Sequence, residues 1–250
     1  MFLDHNSFFY LLYISTIAGL ATTFGCLIVL FLGNPPEKLL ATLLAAAGGV
    51  MLSVVLLDLI PVALSYNRPW QFLAGFAVGS LFMFTADKFL QYKNNKNAKT
   101  RRAQLKRIGL LVASGIALHD IPEGMAIAVG QESTAHIGTV IALGIALHNL
   151  PEGMATATPL LMAGIRKSKI LSLTFGIAFF TPLGAILGKI ALNLVHGSLC
   201  FFVSLAAGAM TFLVLGELLP LAKERYPGWA LFGAVSGFIF FLLIVLFLPH

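Results

Sequence analysis

The sequence predicts an all-α polytopic membrane protein of eight transmembrane helices, and three observations carry that expectation. Of 250 residues, 58% are hydrophobic and 10% are charged, against about 25% charged in a soluble domain. The apolar residues fall into long runs, separated by short gaps that hold most of the charges and the helix breakers. The chain also repeats itself, and one repeat places acids and histidines in the middle of apolar runs. A soluble fold of this composition would lack the polar surface to stay dissolved, and disorder is excluded for the same reason. Cys26 and Cys200 both lie inside apolar runs, which excludes a disulfide scaffold and a cysteine zinc cluster.

The first segment, near 8–32, ends at Gly33-Asn34-Pro35-Pro36. It is too long, and too weakly flanked by N-terminal positive charge, for a cleaved signal peptide. The second, near 39–64, stops before Asn67-Arg68-Pro69, and the third, near 70–90, runs into a Lys/Asn-rich stretch, 91–107. The fourth and fifth, near 108–130 and 137–162, carry the central polar residues. The sixth and seventh, near 170–193 and 199–222, lead to Pro227-Gly228 and the eighth, near 228–248. Each is long enough to cross about 30 Å of hydrocarbon at about 1.5 Å per residue.

Charge sets the orientation. Lys38, the eight basic residues from Lys88 to Arg107, Arg166, Lys167, Lys169, Lys223 and Arg225 share one side, 14 of the 16 Lys and Arg. Loops rich in Lys and Arg stay cytoplasmic, so both termini are expected outside, in a cell (inner or plasma) membrane. The formal charge of +6 therefore reads as a topogenic signal, with 91–107 a solvated cytoplasmic loop and no nucleic-acid partner.

Self-comparison organises the chain. A shift of 159 lays residues 47–63 on 206–222, pairing Gly49 with Gly208, Met51 with Met210, Pro61 with Pro220 and Asp58 with Glu217. The same shift pairs Thr22 with Thr181 and Trp70 with Trp229. Segments one to three thus echo six to eight, and five crossings apart the copies run in opposite directions. A shift of 29 lays Gly115–Ala126 on Gly144–Ala155 with ten of 12 positions identical. The expected organisation of residues 1–250 is one transporter domain: repeat 1 about 8–90, a central helix pair 108–162, and repeat 2 about 170–248. Inverted repeats around a midplane site are the architecture of secondary transporters.

His119, Asp120 and Glu123 fall halfway along the fourth segment, and His148, Asn149 and Glu152 halfway along the fifth. A carboxylate at the bilayer centre costs about 2.5–3.5 kcal/mol on insertion scales. No Lys or Arg lies at that depth, so a bound cation is the simplest partner. His119 and Glu123 are i,i+4 and share a face, as do His148 and Glu152. Imidazole with carboxylate suits zinc and other first-row divalent ions. Asp120 and Asn149, one residue round the helix, would complete an adjacent site or orient the first. Pro122 and Pro151 deprive the carbonyls of Leu118 and Leu147 of their helical partners, which is tolerated at depth where backbone lines a wet cavity or meets an ion.

These two segments, with their paired His-x-x-Pro-Glu-Gly strings, resemble those of the ZIP family (Zrt/Irt-like proteins) of prokaryotic type, which import zinc and related divalent metals. The resemblance covers the whole chain. It implies a three-plus-two-plus-three arrangement and a metal site of His119, Asp120, Glu123, His148, Asn149 and Glu152, holding one or two ions. It also implies Zn2+ as substrate, with Fe2+, Mn2+ and Cd2+ as further candidates, and a homodimer. Two departures stand out. Related members place a Glu where this chain has Thr181, and residues 91–107 contain no His.

Asp58, near the outer end of segment two, and Glu217, near the inner end of segment seven, are candidates to pass cations at entrance and exit. Against that stands a polar helix cap held by Pro61 or Pro220. Asp87 beside Lys88 reads as a salt bridge or solvated group. His5, His136, His196 and His250 read as solvated, with Glu132 and His136 able to gather metal. Met51 and Met210 read as packing. The alternatives to transport are an intramembrane zinc-dependent hydrolase and a metal-stabilised receptor. The zinc-protease spacing His-Glu-x-x-His is absent, and a near-symmetric site with acids toward both faces fits passage better than an asymmetric reaction.

Overall fold

The computed structural model describes residues 5–33, 36–94, 100–194 and 199–247, and these form helices with no strand among them. The side chain of His5, and His196 and His250, lie outside what is described. The described residues run as eight rods. They are α1 (His5–Leu32); α2 (Glu37–Val54), continuing through a π turn, Val55–Leu59, into α3 (Ile60–Ser65); α4 (Pro69–Asn94); α5 (Arg101–Ser133); α6 (Ala135–Met162); α7 (Lys167–Ile177), bending into α8 (Phe180–Leu194); α9 (Leu199–Leu213), continuing through a second π turn, Val214–Leu218, into α10 (Leu219–Arg225); and α11 (Pro227–Phe247). Seven of the rods are long and apolar enough to cross a membrane by length and composition. The eighth, α6, has 28 residues and dilutes its apolar run with His148, Asn149, Glu152 and several threonines.

Helix α5 starts at Arg101, within the stretch expected to be loop. Thr100 caps it, its hydroxyl accepting from the Ala103 N–H at 3.4 Å. The following Arg, Ala, Gln, Leu and Lys are strong helix formers, so polarity here marks a solvated helical turn rather than a linker.

The two π turns have a common cause. Pro61 and Pro220 each stand two residues beyond their π turn and donate no N–H. The chain takes up one extra residue ahead of them, so that Ile60 N–H reaches the Val55 carbonyl and Leu219 N–H reaches that of Val214. Asp58 and Glu217 sit at the same place on these turns. Neither is a helix cap.

Around the antiparallel pair α5–α6, α1 packs on α6 and α8 on α5, while α2 packs on α11 and α9 on α4. Small residues let the backbones meet, and the close approaches recur in matched pairs. A β-carbon on Gly25 would collide with the Leu150 carbonyl, and one on Gly184 with that of Ile121. Gly49 is set against Ala234 and Gly208 against Phe76; Gly79 is set against Leu205 and Gly237 against Ala46. The partners in α1/α8 and α2/α9 are 159 apart, those in α5/α6 are 29 apart, and those in α4/α11 are 158 apart. The Trp70–Trp229 pairing at 159 is thus one residue out of register. The link before α4 holds Asn67 at φ 53°, and the link before α11 is Tyr226 alone. The largest core joins α2, α5 and α9 and buries Met51 and Met210, as the packing reading of those residues expects. Outside it, α4 and α11 expose large apolar side chains such as Trp70, Leu81 and Leu231, which a water-soluble surface would not carry in such number.

Candidate metal site

Thr134 is the single residue between α5 and α6. It ends the first helix and caps the second, its hydroxyl accepting from the Ile137 N–H at 3.2 Å. A link this short holds the two helices antiparallel and in register. His119 stands 15 residues before it and His148 14 after it, so the imidazoles come level. Glu123 is one turn nearer the link, and Glu152 one turn farther.

The pairing that results is crosswise. His148 Nε2 lies 3.0 Å from Glu123 Oε1, and His119 Nε2 lies 3.3 Å from Glu152 Oε2. His119 Nδ1 is 3.3 Å from Glu123 Oε1 and 3.6 Å from Asp120 Oδ1. All five side chains are buried, and so is Asn149. The His148–Glu123 contact is a hydrogen bond. The contacts of His119 are close enough for ionic attraction but are not aligned as hydrogen bonds, so both its ring nitrogens lack a hydrogen-bond partner. The same is true of both oxygens of Asp120 and of Glu152, of Glu123 Oε2 and of His148 Nδ1. Buried polar atoms are ordinarily satisfied. Three carboxylates whose described ionic contacts are with two imidazoles form an electron-rich donor set that a divalent cation would satisfy. The donor atoms of His119, Asp120 and Glu123 lie within 4.8 Å of one another.

Backbone packing fixes the set in place. A β-carbon on Gly124 would collide with the Thr181 carbonyl, and one on Gly153 with the Thr22 carbonyl. Each Pro-Glu-Gly stretch is therefore pressed against a threonine of a neighbouring rod. Thr181 is fully buried with a hydroxyl that has no hydrogen-bond partner, as is Thr22. Asn149 turns its amide to α1, where Nδ2 donates to the Ala18 carbonyl at 3.1 Å, and leaves Oδ1 without a partner. The His148 ring rests edge-on against Phe241 at 5.7 Å.

A cavity of about 330 Å³ is lined by Asp58, Glu123 and His148, with Ile137, Ile141 and Ile145 on successive turns of α6. Asp58 is exposed and shares this wall with the buried donors. Its repeat mate Glu217 does not. Glu217 receives a two-pronged contact from Arg107, Nη1 to Oε1 at 3.2 Å and Nη2 to Oε2 at 3.1 Å. Arg107 also pairs with Asp87. Asp87 is buried in this contact, so of the two sequence readings the salt bridge holds and the solvated group does not. Glu132 pairs with Lys189 at 2.5 Å, which occupies one of the two groups expected to gather metal; His136 is exposed. Sequence reasoning counted Arg107 only as a topogenic charge. The available signal was Glu217 itself, an acid in an apolar run that requires a cation.

The segment 91–245 matches the family model described as "ZIP Zinc transporter". Over 230 residues the chain is 36% identical to a protein named zinc transporter ZupT from Enterobacter sp. (strain 638), covering 86% of this chain and 88% of that one. It is 35% identical over 242 residues to a protein of the same name from Stenotrophomonas maltophilia (strain R551-3), covering 90% of each. It is 32% identical over 247 residues to another from Streptococcus mutans, covering 90% of this chain and 92% of that one. With a model that spans more than half of the sequence and relatives that match nearly its whole length, this chain belongs to the ZIP zinc transporter family.

Proposed function

We propose that this protein carries zinc across the membrane into the cytoplasm through the donor set on α5 and α6. His119, Glu123, His148 and Glu152 act as the primary ligands. Asp120 and the Oδ1 of Asn149 stand beside them. The observation that carries the proposal is the buried cluster of imidazoles and carboxylates, rich in atoms without hydrogen-bond partners, on the wall of a cavity that also holds Asp58. A structural clamp would not need that access. Zinc accepts imidazole and carboxylate together, and the names of the relatives support zinc as the substrate.

The matched close approaches of α1 with α6 and α8 with α5, and of α2 with α11 and α9 with α4, support a three-plus-two-plus-three inverted repeat, 8–90 and 170–248 flanking 108–162. The charge asymmetry supports termini outside, which puts the cavity and Asp58 on the outer side and the Arg107–Glu217 contact on the inner side. Metal then enters past Asp58, meets Glu123 and His148, passes to His119 and Glu152, and leaves past Glu217. The pure protein in liposomes should take up zinc faster than empty liposomes. Equal rates with and without protein, for zinc and for Fe2+, Mn2+ and Cd2+, would overturn the reading.

A further inference from the structure

We propose that Arg107 is the inner latch of the transporter, a tethered cation that holds Glu217 and Asp87 until metal displaces it. The inference rests on the transport reading above. It starts from a difference between two equivalent positions. Asp58 and Glu217 occupy the same place on two π turns, yet Asp58 lines the cavity and Glu217 is gripped by a guanidinium.

The grip is specific. Arg107 presents both Nη atoms to both oxygens of Glu217, the planar bidentate match that arginine makes with a carboxylate and lysine does not. Nη1 is shared with Asp87. One side chain thereby ties three rods together, α4 through Asp87, α5 through Arg107, and α9–α10 through Glu217. The Arg107 side chain is only 20% exposed and that of Asp87 6%, so the charges are poorly screened and leaving either acid alone is costly. Arg107 stands 12 residues before His119 on the same helix, about 18 Å along it at about 1.5 Å per residue. The buried donors are therefore bounded by a cavity toward one end and by an ion-paired plug toward the other.

The plug carries one positive charge between two carboxylates. A divalent cation arriving at Glu217 and Asp87 would replace that charge and more, so ion exit and latch opening become one exchange. The shift of 29 that relates α5 to α6 puts His136 where Arg107 stands. The guanidinium is therefore not repeated at the matching position of α6.

The test is closure, read by the reactivity of a buried reporter. Leu111 lies one turn from Arg107 toward the donors and is fully buried. In a background lacking Cys26 and Cys200, Leu111→Cys should react slowly with a small thiol reagent in proteoliposomes. Adding Arg107→Met should speed the reaction about tenfold, equivalent to about 1.4 kcal/mol. The swap Arg107→Glu with Glu217→Arg should return it to the slow rate. An unchanged rate in Arg107→Met overturns the latch. A fast rate that the swap does not reverse also overturns it, because that marks loosened packing. If either variant fails to insert, Asp87→Asn and Glu217→Gln keep Arg107 and remove its partners. The same acceleration is expected, and its absence refutes the proposal. Zinc flux through the parent protein, measured on the same preparation, is separate. Its absence removes the transport reading, whereas the labelling rates decide the latch.

Discussion

His119 on α5 and Glu152 on α6 meet across the helix pair, with Nε2 3.3 Å from Oε2, while the other imidazole and carboxylate make the reciprocal contact. His119 also lies 3.3 Å from Glu123 on its own helix, so the donors of α5 and α6 form one continuous set. Each histidine meets the acid of the opposite helix, so the set depends on the register in which Thr134 holds α5 and α6.

Removing an acid from this arrangement should therefore do more than remove Asn149. Glu123→Ala or Glu152→Ala is expected to reduce zinc uptake in liposomes to that of protein-free vesicles, and His119→Ala to leave a small residue of flux. Asn149 spends its amide on the Ala18 carbonyl, so Asn149→Ala should stay within about tenfold of the parent, at the mild end of what outer ligand partners contribute. Gel filtration and circular dichroism would confirm folding. If Asn149→Ala were as inactive as Glu152→Ala while folded, a core of two His and two Glu would be the wrong model.

Much of this was legible in the sequence, for reasons that differ by level. Each apolar run became a rod because a backbone in hydrocarbon must satisfy its own hydrogen bonds. The i,i+4 spacing alone puts His119 with Glu123 and His148 with Glu152 on shared faces. The crosswise pairing was not legible, because it depends on the single-residue link at Thr134, whose tightness no periodicity reports. The π turns were hidden for a similar reason. One extra residue per turn leaves the apolar pattern intact, and only Pro61 and Pro220, three positions after the acids, pointed to them. The contact of Arg107 with Glu217 spans 110 positions, a separation at which charge counting along the chain is blind.

The packing of Gly124 and Gly153 makes a stability prediction. Their neighbours are backbone carbonyls of Thr181 and Thr22, which cannot rotate away as a side chain would. Gly124→Ala and Gly153→Ala should each destabilise the protein by about 1–3 kcal/mol, the usual cost of overpacking. Gly176 has nothing within 4 Å of an added β-carbon, so Gly176→Ala should be neutral or slightly stabilising. Thermal unfolding in detergent compares the three. Equal midpoints would show that α8 and α1 yield at these positions.

The charge asymmetry makes a prediction about sides. In intact cells, a cysteine at Asn97 should be shielded from an impermeant thiol reagent, and one at His250 should react, both in a background without Cys26 and Cys200. The reverse pattern would place the cavity and Asp58 on the cytoplasmic side and turn the proposed direction of transport around.

The last prediction follows from the chemistry of the donors. A divalent metal binds neutral imidazole and ionised carboxylate, so protons and metal compete for the same atoms of His119, Glu123, His148 and Glu152. Free imidazole titrates near ~6.5 and a free glutamate near ~4.3. The direction is fixed whatever the site does to those values. Protonation removes a ligand, so affinity falls as pH falls, by up to about tenfold per pH unit for each proton that metal must displace. Metal binding in turn releases protons. Titrating the purified protein with zinc in weakly buffered solution near neutral pH should acidify the medium in proportion to the zinc bound. Glu152→Gln should reduce both the binding and the acidification. This outcome does not depend on whether protons drive transport, because it concerns binding at equilibrium. If saturating zinc released no protons, and affinity were the same in mildly alkaline and mildly acidic buffer, zinc would have to bind somewhere other than between α5 and α6.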